Sequence, residues 1–318
     1  MGHGHDHNVP PDTDRRWLSL ALALIAGFMA AEVVVGLLAN SLALLSDAGH
    51  MLTDAGAIVL ALVAIRLAAH PPRGGYTFGL KRAEILAAQA NGLTLLLLSA
   101  ALAVEAVRRV VHPPAVTGAA VLVTALAGIA VNTAATWAIG RANRASLNVE
   151  AAFRHVLADL LAFVATAVAG LVVLLTGFTR ADGIATLVVV ALMVRSGVGL
   201  LRESGRIFLE AAPTGVDPAA LGGRLAALPG VVEVHDLHVW QVTSGYPAMS
   251  AHVLVGEDGD CHAARVSIEG LLRAEYAIEH STLQVDHALP PGQAVPTSRD
   301  EAHCVDPHGA VYRSDSTV

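Results

Sequence analysis

Residues 47–54 read DAGHMLTD, two carboxylates and an imidazole inside an apolar run that extends from Ser41 to Ala69. On a helix His50 and Asp54 project from one face, one turn apart, and Asp47 lies three residues before His50 on nearly the same face. The run is long enough to cross a hydrocarbon core, which takes about 20 residues. A charged group at that depth costs several kcal/mol unless it is paired, protonated or faces water. Whether this stretch is a polar stripe buried between helices or half of a ligand set inside a membrane decides the fold.

A second apolar run answers it. His155 and Asp159 repeat the i, i+4 spacing in HVLAD, within residues 149–176. Two helices that each offer one imidazole and one carboxylate can build a four-ligand shell. Imidazole nitrogen and carboxylate oxygen suit Zn²⁺, which favours tetrahedral coordination with bonds of about 2.0–2.2 Å. The expected metal-ligand set is therefore His50, Asp54, His155 and Asp159. Two carboxylates offset the charge of a dication, so the filled shell is close to neutral. The empty shell carries uncompensated negative charge in a low dielectric, and protons are the obvious substitute. Histidine must be neutral to bind metal, so metal and H⁺ compete for the same groups. A site of this kind, opened alternately to the two membrane faces, exchanges metal for H⁺.

The rest of the chain agrees with a membrane setting. Of its 318 residues, 54% are hydrophobic and only 15% charged, and the mean hydropathy is +0.57, values that soluble domains rarely reach. Six apolar runs are long enough to span: 17–39, 42–69, 83–107, 118–139, 149–176 and 183–201. Arg15, Arg16, Arg66, Arg73, Lys81, Arg82, Arg141, Arg144, Arg202 and Arg206 fall on one side if both termini are cytoplasmic; Arg108, Arg109 and Arg180 fall on the other. The positive-inside tendency selects cytoplasmic termini. The first run is too long, and Glu32 too deep in it, for a cleaved signal peptide. Short loops favour a bacterial inner membrane.

After Pro213 the composition becomes that of a small soluble domain. Residues 217–228 read as a helix, 231–242 and 248–255 as strands around a turn at Ser244 and Gly245, 261–276 as a second helix and 281–288 as a third strand. The expected organisation is a histidine-bearing tail (1–16), a six-helix transmembrane bundle (17–211), an α-β-β-α-β domain (212–290) and a disordered tail (291–318). A cytoplasmic location keeps Cys261 and Cys304 reduced. His3, His5 and His7 form a tract of the sort that binds transition metals weakly.

Four segments carry a resemblance to the cation diffusion facilitator family, in its zinc-preferring bacterial efflux branch: SLALLSDAGHMLTDA (41–55), YTFGLKRAEILAA (76–88), HDLHVW (235–240) and IEHSTLQVD (278–286). The resemblance covers nearly the whole chain. It implies a homodimeric Zn²⁺/H⁺ antiporter that exports zinc from the cytoplasm, with a metallochaperone-like (ferredoxin-like) α+β domain that pairs between subunits. It also implies that His50, where some relatives carry Asp, goes with a preference for zinc over cadmium. In some relatives a regulatory zinc pair uses residues that match His235, His252, His262 and Asp286. This sequence departs from that pattern at Gln284, where those relatives have a histidine.

Other classes fit less well. A net charge of −7 does not suit nucleic acid. No Walker A loop, which ATP-driven pumping would require, is present, and neither is an H-E-x-x-H or G-x-S-x-G motif for an embedded hydrolase. Export of Cd²⁺, Co²⁺, Ni²⁺ or Mn²⁺ is the alternative within transporters. A metal receptor or a membrane metalloenzyme is the remote one.

Overall fold

The computed structural model describes residues 11–38, 42–113, 118–142, 144, 146–288 and 309–314. The chain divides into two units, one ending at Gly205 and the other beginning at Arg206. Its helices in chain order are α1 (Pro11–Leu38), α2 (Leu42–Ala68), α3 (Ala83–Val111), α4 (Gly118–Ile139), α5 (Leu147–Thr176) and α6 (Ala181–Phe208). They are followed by α7 (Pro218–Ala226), β1 (Val231–Thr243), β2 (Tyr246–Val255), α8 (Cys261–Tyr276), β3 (His280–His287) and β4 (Tyr312–Arg313).

The first unit is helical because a chain in hydrocarbon must satisfy every backbone N–H and C=O within itself. Stretches of α3, α4, α5 and α6 are long and apolar enough to cross a membrane; in α2 the described apolar stretch is Ala55–Ala68. Between 22% and 39% of each crossing window is buried inside the protein, and the outward faces carry Leu97, Val123, Leu126, Val168 and Leu175. Such surface belongs against lipid, so this unit is a transmembrane helical domain. Several helices outrun the apolar stretches of the sequence. α1 starts at Pro11, ahead of Trp17, with a proline in the first turn where a missing N–H costs nothing.

Small residues let these helices approach. Ala21, Ala55, Ala61, Ala135, Ala138 and Ala152 join Leu18, Ile25, Met51, Ile58, Ile139 and Val156 in one core shared by α1, α2, α4 and α5. Glycines close α3 on α6: a Cβ at Gly197 would lie 3.0 Å from Gly92 O, and one at Gly92 would lie 3.1 Å from Leu200 Cβ. α5 ends at Gly177, whose φ of 71° lets its N–H return to Val173 O.

The second unit is a four-stranded sheet in the order β3-β2-β1-β4. β1 and β2 form an antiparallel hairpin whose turn, Ser244-Gly245, needs the φ of 70° that Gly245 supplies. β3 is parallel to β2, which requires a crossover, and α8 provides it. Leu221, Leu225, Val234, Val239, Met249, Val253, Ile268 and Leu272 make the core. Asp217 caps α7 by accepting from Ala219 N at 2.9 Å, with Pro218 in the first turn. Asp217→Ala is expected to weaken α7 by about 1 kcal/mol. Amide exchange in the full-length protein checks this, with α7 amides expected to exchange about fivefold faster.

β4 departs from the sequence expectation, which leaves 291–318 without structure. Tyr312 and Arg313 pair antiparallel with Val234 and Glu233 of β1. The Tyr312 ring lies so close to Gly222 that a Cβ there would sit 2.3 Å from it, and Arg313 Nε donates to Glu233 Oε2 at 2.9 Å. Both partners are far away in sequence, so local composition gives no hint of them. The proposed histidine-bearing tail lies outside the described residues through Pro10, as do residues 289–308 and 315–318.

Candidate metal centre

His50 and Asp54 lie within helix α2, four residues apart, and their side chains are outside the described ones. α2 packs against α5, and Met51, Ala55 and Ile58 of α2 share one core with Val149, Ala152 and Val156 of α5. His155 and Asp159 are therefore carried on a helix in direct contact with the one bearing the first pair.

On α5 both side chains are withdrawn from solvent: His155 is 1% exposed and Asp159 4%. His155 Nε2 stands 3.8 Å from Asp159 Oδ2. That is long for a hydrogen bond but close to the spacing two donors take on one tetrahedral zinc, about 3.4 Å for bonds of 2.0–2.2 Å. Among the described side chains, which exclude those of His50 and Asp54, no three His, Cys, Asp or Glu converge to hold a metal. Two other buried polar side chains in the helices turn back on their own backbone. Asn132 Nδ2 donates to Gly128 O at 3.1 Å, and Ser99 Oγ donates to Leu95 O at 2.6 Å.

Charged and aromatic residues collect where α4 ends and α5 begins. Glu150 accepts from Arg144 at 2.9 Å and from Arg154 at 2.8 Å, and Arg154 approaches Glu203 of α6 at 3.7 Å. Arg144 lies over the Phe153 ring, Arg141 over Trp137, and Trp137 meets Trp17 edge-on at 5.5 Å. Amphipathic rings and cations together mark a membrane–water boundary.

In the second unit the register sets His235, His252 and Gln284 in one row across β1, β2 and β3. The His235 and His252 rings meet edge-to-face at 5.4 Å. The other two expected ligands stand apart from this pair. Asp286 accepts from Gln284 Nε2 at 2.8 Å on the exposed face of β3, and His262, exposed on the first turn of α8, lies 3.4 Å from Arg265 Nη2. Two carboxylates that the sequence does not single out stand beside the histidines. Glu233 Oε1 is 3.2 Å from His235 Nδ1. Asp236, held at a φ of 49°, places Oδ1 2.8 Å from His238 Nε2 and Oδ2 3.7 Å from His252 Nε2. The alternation E-V-H over 233–235 carried the signal for Glu233; the bulge that turns Asp236 did not show in the sequence.

At the start of α8 the Ala263 N–H holds the Asp260 carboxyl below its ordinary value, with help from the His262 N–H and charge. A lowered folded-state value means this contribution is present at neutral pH and is lost as pH falls through that value.

Comparison with known proteins bears on the whole chain. The cation efflux transmembrane domain matches residues 18–209, and the cytoplasmic domain of cation efflux proteins matches residues 213–288. The zinc transporter ZitB of Escherichia coli K12 is 39% identical over 292 residues, covering 90% of this chain and 93% of that protein. The cadmium, cobalt and zinc/H(+)-K(+) antiporter of Bacillus subtilis 168 is 36% identical over 283 residues, 88% of each chain. The metal cation efflux system protein CzcD of Cupriavidus metallidurans CH34 is 37% identical over 291 residues, 91% of each.

Proposed function

The chain belongs to the cation efflux family of cation diffusion facilitators, which makes it a divalent-cation transporter of the bacterial inner membrane rather than an enzyme, and from that premise we propose that it exports Zn²⁺ from the cytoplasm in exchange for H⁺. His50, Asp54, His155 and Asp159 hold the ion between α2 and α5. The observation that carries this reading is the buried His155–Asp159 pair, 3.8 Å apart, on a helix packed against the one that repeats its spacing. Further support comes from relatives named as zinc transporters and as a cation/H(+)-K(+) antiporter.

In this mechanism all six helices α1–α6 cross the bilayer, both termini face the cytoplasm and the β-containing domains pair in a homodimer. The protein binds lipid around its outer faces and uses neither ATP nor nucleic acid. Cytoplasmic Zn²⁺ displaces protons from the imidazoles and carboxylates, and the near-neutral loaded centre reorients. Protons from the other side then discharge the ion and return with the empty centre. Within this family the runner-up cargoes are Cd²⁺, Co²⁺, Ni²⁺ and Mn²⁺, which the same donor set accepts to differing degrees. We also propose that His235, His252, His262 and Asp286 bind regulatory zinc, with Glu233 and Asp236 as further donors beside the two histidines.

Zinc uptake into proteoliposomes under an imposed pH gradient tests the exchange. Uptake is expected to rise with an outward-directed proton gradient and to be accompanied by proton efflux read by a trapped dye. Zinc flux indifferent to the gradient, with no proton movement, overturns it.

A further inference from the structure

Cys261, at the start of α8, and His287, at the end of β3, meet in the second unit: Sγ stands 3.8 Å from both ring nitrogens. Neither residue belongs to the His235–His252 row, and each is the sequence neighbour of a proposed regulatory ligand, His262 or Asp286. His287 Nε2 is 2.9 Å from Gly259 O. A carbonyl oxygen only accepts, so Nε2 carries a proton, and in the neutral imidazole Nδ1 then keeps its lone pair. Metal-bound histidines are held in this manner, with the non-ligating N–H tied to a backbone carbonyl.

The distances suit an ion shared by the two side chains. Zn–S bonds of about 2.3 Å and Zn–N bonds of about 2.0–2.1 Å at a tetrahedral angle separate sulfur from nitrogen by about 3.6 Å. The surrounding backbone is fixed. Gly259 N–H closes a turn on Gly256 O at 2.8 Å, and a Cβ at Gly259 would lie 2.9 Å from that oxygen. Ala288 N–H reaches Val255 O at 2.8 Å, which holds the end of β3 beside that turn. Cys261 is half-buried and His287 exposed, so an ion enters directly from water.

We propose that Cys261 and His287 form a thiolate–imidazole site for a borderline or soft divalent ion such as Zn²⁺ or Cd²⁺. Two protein ligands leave two tetrahedral positions to water, so the ion is held exchangeably. The thiolate rejects Mg²⁺, Ca²⁺ and Mn²⁺, which prefer oxygen donors. The site therefore discriminates among ions on the cytoplasmic side by a chemistry that the carboxylate–imidazole centre between α2 and α5 does not have.

The test uses Co²⁺ as probe on the full-length Cys304→Ser protein, in which Cys261 is the one remaining thiol of the chain's two. Sulfur-to-cobalt charge-transfer absorption arises only from thiolate coordination, so Co²⁺ bound by histidines and carboxylates elsewhere does not contribute. A saturable band is expected, abolished by Cys261→Ser, with half-saturation raised about tenfold or more by His287→Ala. His287 is exposed, and circular dichroism of that variant confirms that the sheet remains. Absence of the band in Cys304→Ser, or a half-saturation unmoved by His287→Ala, overturns the proposal. Neither result bears on proton-coupled flux, which is tested separately.

Discussion

Asp159→Ala is expected to lower zinc uptake by everted vesicles about a hundredfold or more, with the variant still inserted at normal levels. Removing a hydrogen-bond partner behind a metal ligand typically costs 10–100-fold, so loss of a ligand itself sets the floor at the upper end. Asp159 is 4% exposed and 3.8 Å from His155, so water does not readily take its place. In the proposed centre the variant also removes one of the two carboxylates that would neutralise the dication. His155 loses its buried neighbour in this variant, so the amount of protein inserted in the vesicle membrane is measured alongside uptake. Asp159→Asn, which keeps size and loses charge, is expected to fail almost as badly. Wild-type uptake by both variants would place the transported ion elsewhere.

Gly197→Leu is expected to disrupt the first unit itself. The new Cβ would lie 3.0 Å from Gly92 O and 2.9 Å from the Leu96 side chain. A side chain such as Leu96 can rotate away, but the backbone carbonyl of a neighbouring helix cannot, so α3 and α6 must part. Overpacking of this kind costs about 1–3 kcal/mol, and close contacts between small residues are a main source of helix association in lipid. A lower unfolding midpoint in detergent and a parallel loss of zinc uptake are the expected readouts. Gly205→Leu is the control, because nothing lies within 4 Å of a Cβ at that position of α6. If both variants behave alike, helix propensity rather than the α3–α6 contact governs the outcome.

What could be read from the sequence was what depends on short spacing. Apolar length marks the helices, four-residue spacing puts His155 with Asp159 on one face of α5, and Ser244-Gly245 marks the hairpin turn, because each is a property of a few consecutive residues. Features that depend on distant segments were not readable. Gly92 and Gly197 look like weak points in two helices until α3 and α6 are brought together. Cys261 and His287 meet because β3 ends beside the start of α8. Gln284, which departs from the histidine that the resemblance implies, donates a hydrogen bond to Asp286, a use that its identity alone does not suggest. The link between His50 with Asp54 and the α5 pair rests on the packing of their helices, since those two side chains lie outside the described residues.

The two residues of β4 cover the rim of β1 at Glu233 and Val234. A strand this short is held by few backbone bonds, by Tyr312 against Gly222 and by the Arg313–Glu233 pair. It is therefore the part of the sheet that opens at least cost, leaving the other three strands intact. Each opening frees the Glu233 carboxylate from Arg313 while His235 remains beside it. Arg313 thus holds one oxygen of a carboxylate whose other oxygen faces His235, so undocking of β4 and the binding of any cation at that carboxylate would be thermodynamically linked.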